Sequence, residues 1–141
     1  FFTPYDVCKL MTLLSLSTEN LASEIAQKGF VTVSDQACGS GALLLSFFET
    51  VREMGITDYQ VLAVAQDIDR SAALMCYLQL SVLFIPAIVI VGNSITNPGL
   101  DPKNEVWYTP AYNVYHGHYE SYHIGEADLK IAENEETGGR V

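Results

Sequence analysis

Val31-Thr32-Val33-Ser34-Asp35-Gln36-Ala37-Cys38-Gly39-Ser40-Gly41-Ala42-Leu43-Leu44 is the stretch on which the reading of this chain turns. It reads as a buried strand, a tight glycine turn and the first turn of a helix. β-branched residues feed the strand. Gly39 and Gly41 bracket a turn where a Cβ would obstruct both the backbone and any ligand lying on it. From Ala42 the chain is strongly apolar and helix-compatible as far as Met54, with Gly55 as the stop. The start of that helix would aim free backbone N–H groups at whatever sits above the strand.

Two classes of small molecule use such a turn. The dinucleotide fingerprint asks for G-x-G-x-x-G, whose third glycine packs helix on strand. Here that third position is Leu44, so the match is incomplete. Asp35 ends the strand four residues before Gly39. A carboxylate there would repel a pyrophosphate and suits a cationic ligand. S-adenosylmethionine, with a sulfonium and an ammonium beside one carboxylate, is such a ligand.

Asp35-Gln36-Ala37-Cys38-Gly39-Ser40-Gly41 resembles the D-P-A-C-G-S-G motif of N6-adenine DNA methyltransferases, with Gln36 in place of proline. By pattern it is most similar to the methylation subunits of type I restriction–modification systems and to phage or plasmid DNA methylases. The resemblance implies a Rossmann-like class I methyltransferase fold that binds S-adenosylmethionine. It assigns cofactor contacts to Asp35, Ala37, Cys38, Ser40 and the two glycines, with Cys38 as a small packing residue and not a nucleophile.

The N-terminus carries a second match. Thr3 is a good N-cap, Pro4 suits a first helical position, and Asp6 favours the positive helix end. Val7, Leu10, Met11 and Leu14 then share one face. That is a capped helix, and Phe2-Thr3-Pro4 also resembles the F-x-T-P motif that the family places upstream of the glycine turn, against the methionine carboxylate.

A helix from Ser17 to Lys28 ends at Gly29. Strands are expected at Phe30–Ser34, Val61–Gln66 and Ala87–Val91, and a short fourth at Glu105–Tyr108. Helices are expected over 40–54 and 72–83, with Asp69 capping the second. Alternating strands and helices imply parallel strands with right-handed crossovers. Asp67 closes the second strand 26 residues after Gly41, where an acid can accept both ribose hydroxyls of an adenosine. By resemblance, Asp67 and Ile68 belong to the family's second cofactor motif. Gly92-Asn93-Ser94 resembles its third, with Asn93 offering an amide to the adenine edge; taken alone, Asn93 reads first as a turn residue.

The family's catalytic motif is Asn or Asp, then Pro-Pro, then Tyr or Phe. It accepts hydrogen bonds from the adenine amine and stacks on a flipped base. The slot here reads Thr109-Pro110-Ala111-Tyr112, and no Asn-Pro-Pro or Asp-Pro-Pro occurs in the chain. Thr109, Pro110 and Tyr112 are the degenerate candidates for base contact. The segment beyond, with Tyr115, His116, His118, Tyr119, Tyr122 and His123, reads as an aromatic and polar loop that is solvated or faces a partner. His116, His118, His123 and Glu126 lack a recognised zinc spacing, so no metal site is expected.

Composition bounds the remainder. The chain has 141 residues, enough for one domain with a core. Acids outnumber bases 17 to 7, for a net charge of −10. Duplex DNA is gripped largely by phosphate neutralisation, so DNA would be held through another domain or subunit. Cys8, Cys38 and Cys76 are widely spaced in apolar contexts and read as reduced thiols of a cytoplasmic protein. Residues 71–100 hold no charge, but Gln79 and Ser81 interrupt the run and Pro86 would break a helix. A buried helix followed by a buried strand explains it better than a membrane span. The chain opens on Phe1 without a leader pattern, which reads as a fragment or a trimmed chain.

The expectation is one α/β domain over residues 1–132. It comprises N-terminal helices (1–29) and a cofactor-binding core (30–112) of three to four parallel strands, roughly the N-terminal half of the family's sheet. A charged, Gly-rich tail (133–141) is expected to be disordered. An open sheet edge favours a homodimer or a partner chain. The leading function is S-adenosylmethionine binding for methyl transfer to adenine in DNA. The alternative is a catalytically inactive module of the same fold that binds a partner protein. A dinucleotide-dependent oxidoreductase is third, disfavoured by Leu44 and Asp35.

Overall fold

The computed structural model describes Pro4, residues 6–7 and residues 18–119. Most of the expected first helix and everything from Glu120 onward lie outside the described residues, the tail among them. Along the chain run α1 (Thr18–Lys28), β1 (Val31–Asp35), α2 (Ala42–Glu53) and a 3-10 turn (Asp58–Gln60). Then come β2 (Val61–Asp67), α3 (Arg70–Val82), β3 (Ala87–Val91), β4 (Glu105–Tyr108) and α4 (Pro110–Tyr119).

The sheet order is β1-β2-β3-β4. β1, β2 and β3 are parallel, with Asp35 opposite Ala65 and Asp67 opposite Val91. Two successive crossovers in one direction put both helices on one face, where Leu44, Phe48 and Val51 of α2 and Cys76 and Leu80 of α3 bury Ala63, Ala65 and Val89. Leu21 and Ile25 of α1 pack against the same layer. The opposite face, with Leu62, Val64, Ile88 and Ile90, is closed by Phe30 and Tyr119 and flanked by Leu100, Val106 and Tyr115. β2 is therefore apolar throughout most of its length, as a strand covered on both faces should be. Among the described residues β1 is an edge strand, and its Thr32 and Ser34 are exposed.

Two elements differ from expectation. β4 is present at the expected residues but runs antiparallel to β3, pairing Val91 with Glu105 and Ile88 with Tyr108. A parallel return needs a crossover element. Residues 92–104 contain none, so the chain folds back at the end of β3 and re-enters the sheet in the opposite sense. The second difference is α4, where an aromatic loop was expected. Thr109 and Pro110 supply an N-cap and a first helical residue. Ala111, Tyr112, Tyr115 and Tyr119 then turn one face to the sheet, with Ala111 and Tyr119 buried. Gly117 and the aromatic residues have weak helix propensity, and packing against Phe30 overrides it. Among the described residues no helix is long and apolar enough to cross a membrane.

Candidate cofactor site

The carboxyl ends of β1, β2 and β3 meet the glycine turn in one crevice. Asp35 closes β1, and its Oδ1 accepts the Ala37 N–H at 3.1 Å. The Cys38 N–H then donates to the Gln66 carbonyl of β2 (3.0 Å), and the Gly41 N–H to the Cys38 carbonyl (2.9 Å). Gly39 and Gly41 adopt φ of 53° and 96°, the left-handed region in which a side chain is strained. At Gly41 space is also denied, since a Cβ would stand 2.8 Å from Cys76 Sγ. Gln79 of α3 completes the support by donating Nε2 to the Ser40 carbonyl at 2.8 Å. No side chain caps the start of α2, which begins directly after this turn.

Asp67 ties this turn to β2. Its Oδ2 accepts the Gly39 N–H at 2.8 Å, and its Oδ1 accepts the Asp69 N–H at 2.8 Å. Each carboxylate oxygen has a second lone pair, so hydroxyl donors can still be accepted. The cap of α3 is Asp69, whose Oδ1 accepts the Ser71 and Ala72 N–H groups at 2.9 and 3.3 Å. Capping of α3 thus falls to Asp69, as expected, and not to Asp67. Ile68, between them, is 70% exposed.

Cys38 is buried beneath the turn, as is Cys76, and both are free thiols. A hydrogen bond with Cys76, burial, and the nearby charges of Asp67 and Asp35 hold the Cys38 thiol far above its ordinary titration range. The thiol is thereby held in its protonated form.

The third strand contributes Gly92-Asn93-Ser94. The Gly92 N–H donates to the Asp67 carbonyl at 3.0 Å, which seats the loop beside Asp67. Asn93 Oδ1 accepts the N–H groups of Ile95 and Thr96 at 2.9 and 3.3 Å. It is the turn residue of this loop, and its amide nitrogen remains the donor end.

Thr109, Pro110 and Tyr112 are not brought to these strand ends. Thr109 is fully buried. Its Oγ1 accepts the Ala87 N–H (2.9 Å) and donates to the Ile85 carbonyl (2.8 Å), and it also caps α4 through the Tyr112 N–H (3.4 Å). Ala87 starts β3, whereas Asp67 registers with Val91 at its end. Four residue steps, about 13 Å, separate the two levels. The antiparallel sense of β4 is the cause, since it delivers its C-terminal residues to the amino ends of the parallel strands. Tyr112 lies against Tyr108 at 4.9 Å and Tyr119 at 5.9 Å between ring centroids. Phe2 and Thr3 lie outside the described residues; Pro4 is exposed.

The sequence pattern of the N-6 DNA methylase family matches residues 1–134. The chain belongs to that family. No curated protein and no solved structure matches it. In this N-6 DNA methylase domain the turn built on Asp35 is the stretch that resembles the family's glycine motif, and the acid of β2 reaches it directly. Gln66, Gln79 and Asn104 are supporting residues that sequence reasoning passed over. Gln66 and Gln79 did carry a signal, as lone amides in otherwise apolar segments; Asn104 carried none.

The family generally uses S-adenosylmethionine as its methyl donor. The groups here whose chemistry is compatible with such a ligand are the carboxylates of Asp35 and Asp67, the two glycines at positive φ and the start of α2, which has no side-chain cap. Among the described residues no three His, Cys, Asp or Glu side chains group to hold a metal.

Proposed function

We propose that the domain binds S-adenosylmethionine in the crevice at the carboxyl ends of β1–β3 and serves methyl transfer to the adenine N6 of DNA. The observation that carries this reading is the Asp67–Gly39 hydrogen bond, which joins the acid of β2 to the glycine turn across 28 residues of sequence. When bound, the cofactor supplies an electrophilic methyl group on sulfur. Asp67 would accept the ribose hydroxyls, Asp35 would balance the cationic methionine end, and the uncapped start of α2 would face its carboxylate. Asn93 and Ser94 would border the adenine. Thr3 and Pro4 keep their assignment by resemblance at the methionine carboxylate, with Phe2 beside them.

The net charge of −10 supports a division of labour in which DNA is held by another domain or subunit. The exposed edge of β1 is the surface for a partner chain or second copy. A cytoplasmic restriction–modification setting agrees with the free thiols and the motif.

One observation favours a second reading, a cofactor-fold module without transferase activity: Thr109 is engaged at the far end of the sheet. Calorimetric titration with S-adenosylmethionine tests the first reading. Saturable binding lost in Asp35→Ala and Asp67→Ala is expected, whereas a folded chain that takes up no ligand contradicts it. Binding without methyl transfer to DNA, even with partner subunits present, would select the second.

A further inference from the structure

Gln66 is fully buried at the end of β2, on the sheet face opposite α2 and α3, in a layer otherwise made of Leu62, Val64, Ile88 and Ile90. A buried amide is costly unless its donors and acceptors are matched. This one is matched by the loop that follows β3. Gln66 Nε2 donates to the Asn97 carbonyl at 2.9 Å, and Oε1 accepts the Gly99 N–H at 3.0 Å. The side chain thus pairs with the loop backbone as a neighbouring strand would. Asn104 works from the other side, where Nδ2 donates to the carbonyls of Asn97 (2.7 Å) and Gly99 (2.9 Å). Asn104 also fills the space over Gly92, where any Cβ would overlap its side-chain oxygen.

Merely joining β3 to β4 would require a short turn. Instead residues 92–104 are folded over the carboxyl end of the sheet and held at their middle by two amides. Between the clamp and the strand lies Asn93, which accepts from Ile95 and Thr96 and is tied to Asn97 by a 2.7 Å backbone bond. The Gln66 main chain meanwhile accepts from Cys38 in the glycine turn. One residue therefore touches both walls of the crevice.

We infer that Gln66 and Asn104 are positioning residues that set the Asn93 amide against the base of the bound nucleoside, and so govern selection of adenine over other purines. This rests on the cofactor reading given above. With its oxygen occupied, Asn93 presents N–H donors. Adenine offers ring nitrogens that accept them, whereas hypoxanthine carries a hydrogen on N1 and opposes a donor there.

The test compares binding of S-adenosylhomocysteine with binding of its hypoxanthine analogue to the full chain. The variants are Gln66→Met, close in volume and apolar, and Asn104→Ala, at a half-buried position. Hydrogen exchange of the Gly99 amide is followed without ligand. In both variants the adenine compound should weaken about fivefold to tenfold, the loss of one hydrogen bond, with the hypoxanthine compound nearly unchanged. Gly99 exchange should accelerate in both. Equal weakening of the two ligands would reduce the clamp to general structural support and overturn the inference, as would unchanged selectivity with faster exchange. If the unaltered chain binds neither compound while Gly99 is protected, the cofactor reading itself fails, and the inference with it.

Discussion

At the carboxyl ends of the strands, backbone groups do the work: two glycines at positive φ, carbonyls and N–H groups bonded across the chain, and carboxylates at Asp35 and Asp67. At the amino ends the work is done by large side chains. Tyr119 donates its hydroxyl to the Tyr59 carbonyl at 2.9 Å and packs edge-on to Phe30 at 4.9 Å, while His118 sits 3.0 Å from the Gly29 carbonyl. One end presents backbone groups and carboxylates. The other is filled with aromatic rings and secures α4. The lesson is that a threonine followed by proline has no fixed meaning. Thr109-Pro110 sits in the family's catalytic order in the sequence, and in space it is a helix cap at the filled end.

This contrast can be broken by substitution. The largest effect should come from Tyr119→Ala, which empties a buried ring site and should cost about 3–5 kcal/mol in chemical denaturation. Cofactor affinity of the remaining folded protein should stay unaltered. Gly41→Ala should cost about 2–3 kcal/mol, from positive φ and the clash with Cys76, and should also abolish binding. Thr109→Val keeps the shape but strands the Ala87 N–H, for about 1–3 kcal/mol. It sharpens the comparison most, because a catalytic Thr109 would change methyl transfer without changing stability, and a structural one does the reverse.

Gly117→Ala should act in the opposite direction. Gly117 is helical, and a Cβ added there would meet open space, so alanine should stabilise by about 0.5–1 kcal/mol in thermal melts. The smallest effect concerns Glu105. Its two oxygens pair with Arg70 at 2.9 and 3.0 Å, and one accepts from Trp107 Nε1. Arg70 first, then Trp107, holds this carboxyl below the ordinary glutamate range. A depressed pKa stabilises the fold above the unfolded value and loses that contribution as pH falls through the folded one. The stability difference between the wild-type chain and Glu105→Gln should therefore be small at neutral pH and vanish on acidification below the glutamate range, as followed by melting temperature. Arg70 is largely exposed and Glu105 partly so, and solvent screening keeps the effect small.

Much of this was legible in the sequence because it depends on local rules. The glycine turn, the three apolar strands, the Asp69 cap and the Gly29 stop each follow from a residue type whose conformational reason is short-range. What was not legible depends on partners far along the chain. The direction of β4 is set by the loop that Gln66 holds, 33 residues before Gly99. α4 exists because Tyr119 finds Phe30 and Tyr59, and its own residues would not form a stable helix alone. For the same reason the composition of the Asp35 motif revealed the cradle, while Gln79 beneath Ser40 went unnoticed.

The most direct test of the central claim, that the ligand sits at the carboxyl end, is a backbone amide NMR titration with S-adenosylmethionine. The account predicts saturating shifts at Gly39, Gly41, Asp67 and Asn93, with the amides of Thr109 to Tyr119 nearly still. Shifts concentrated on Thr109 to Tyr119, with the glycine turn unmoved, would contradict it.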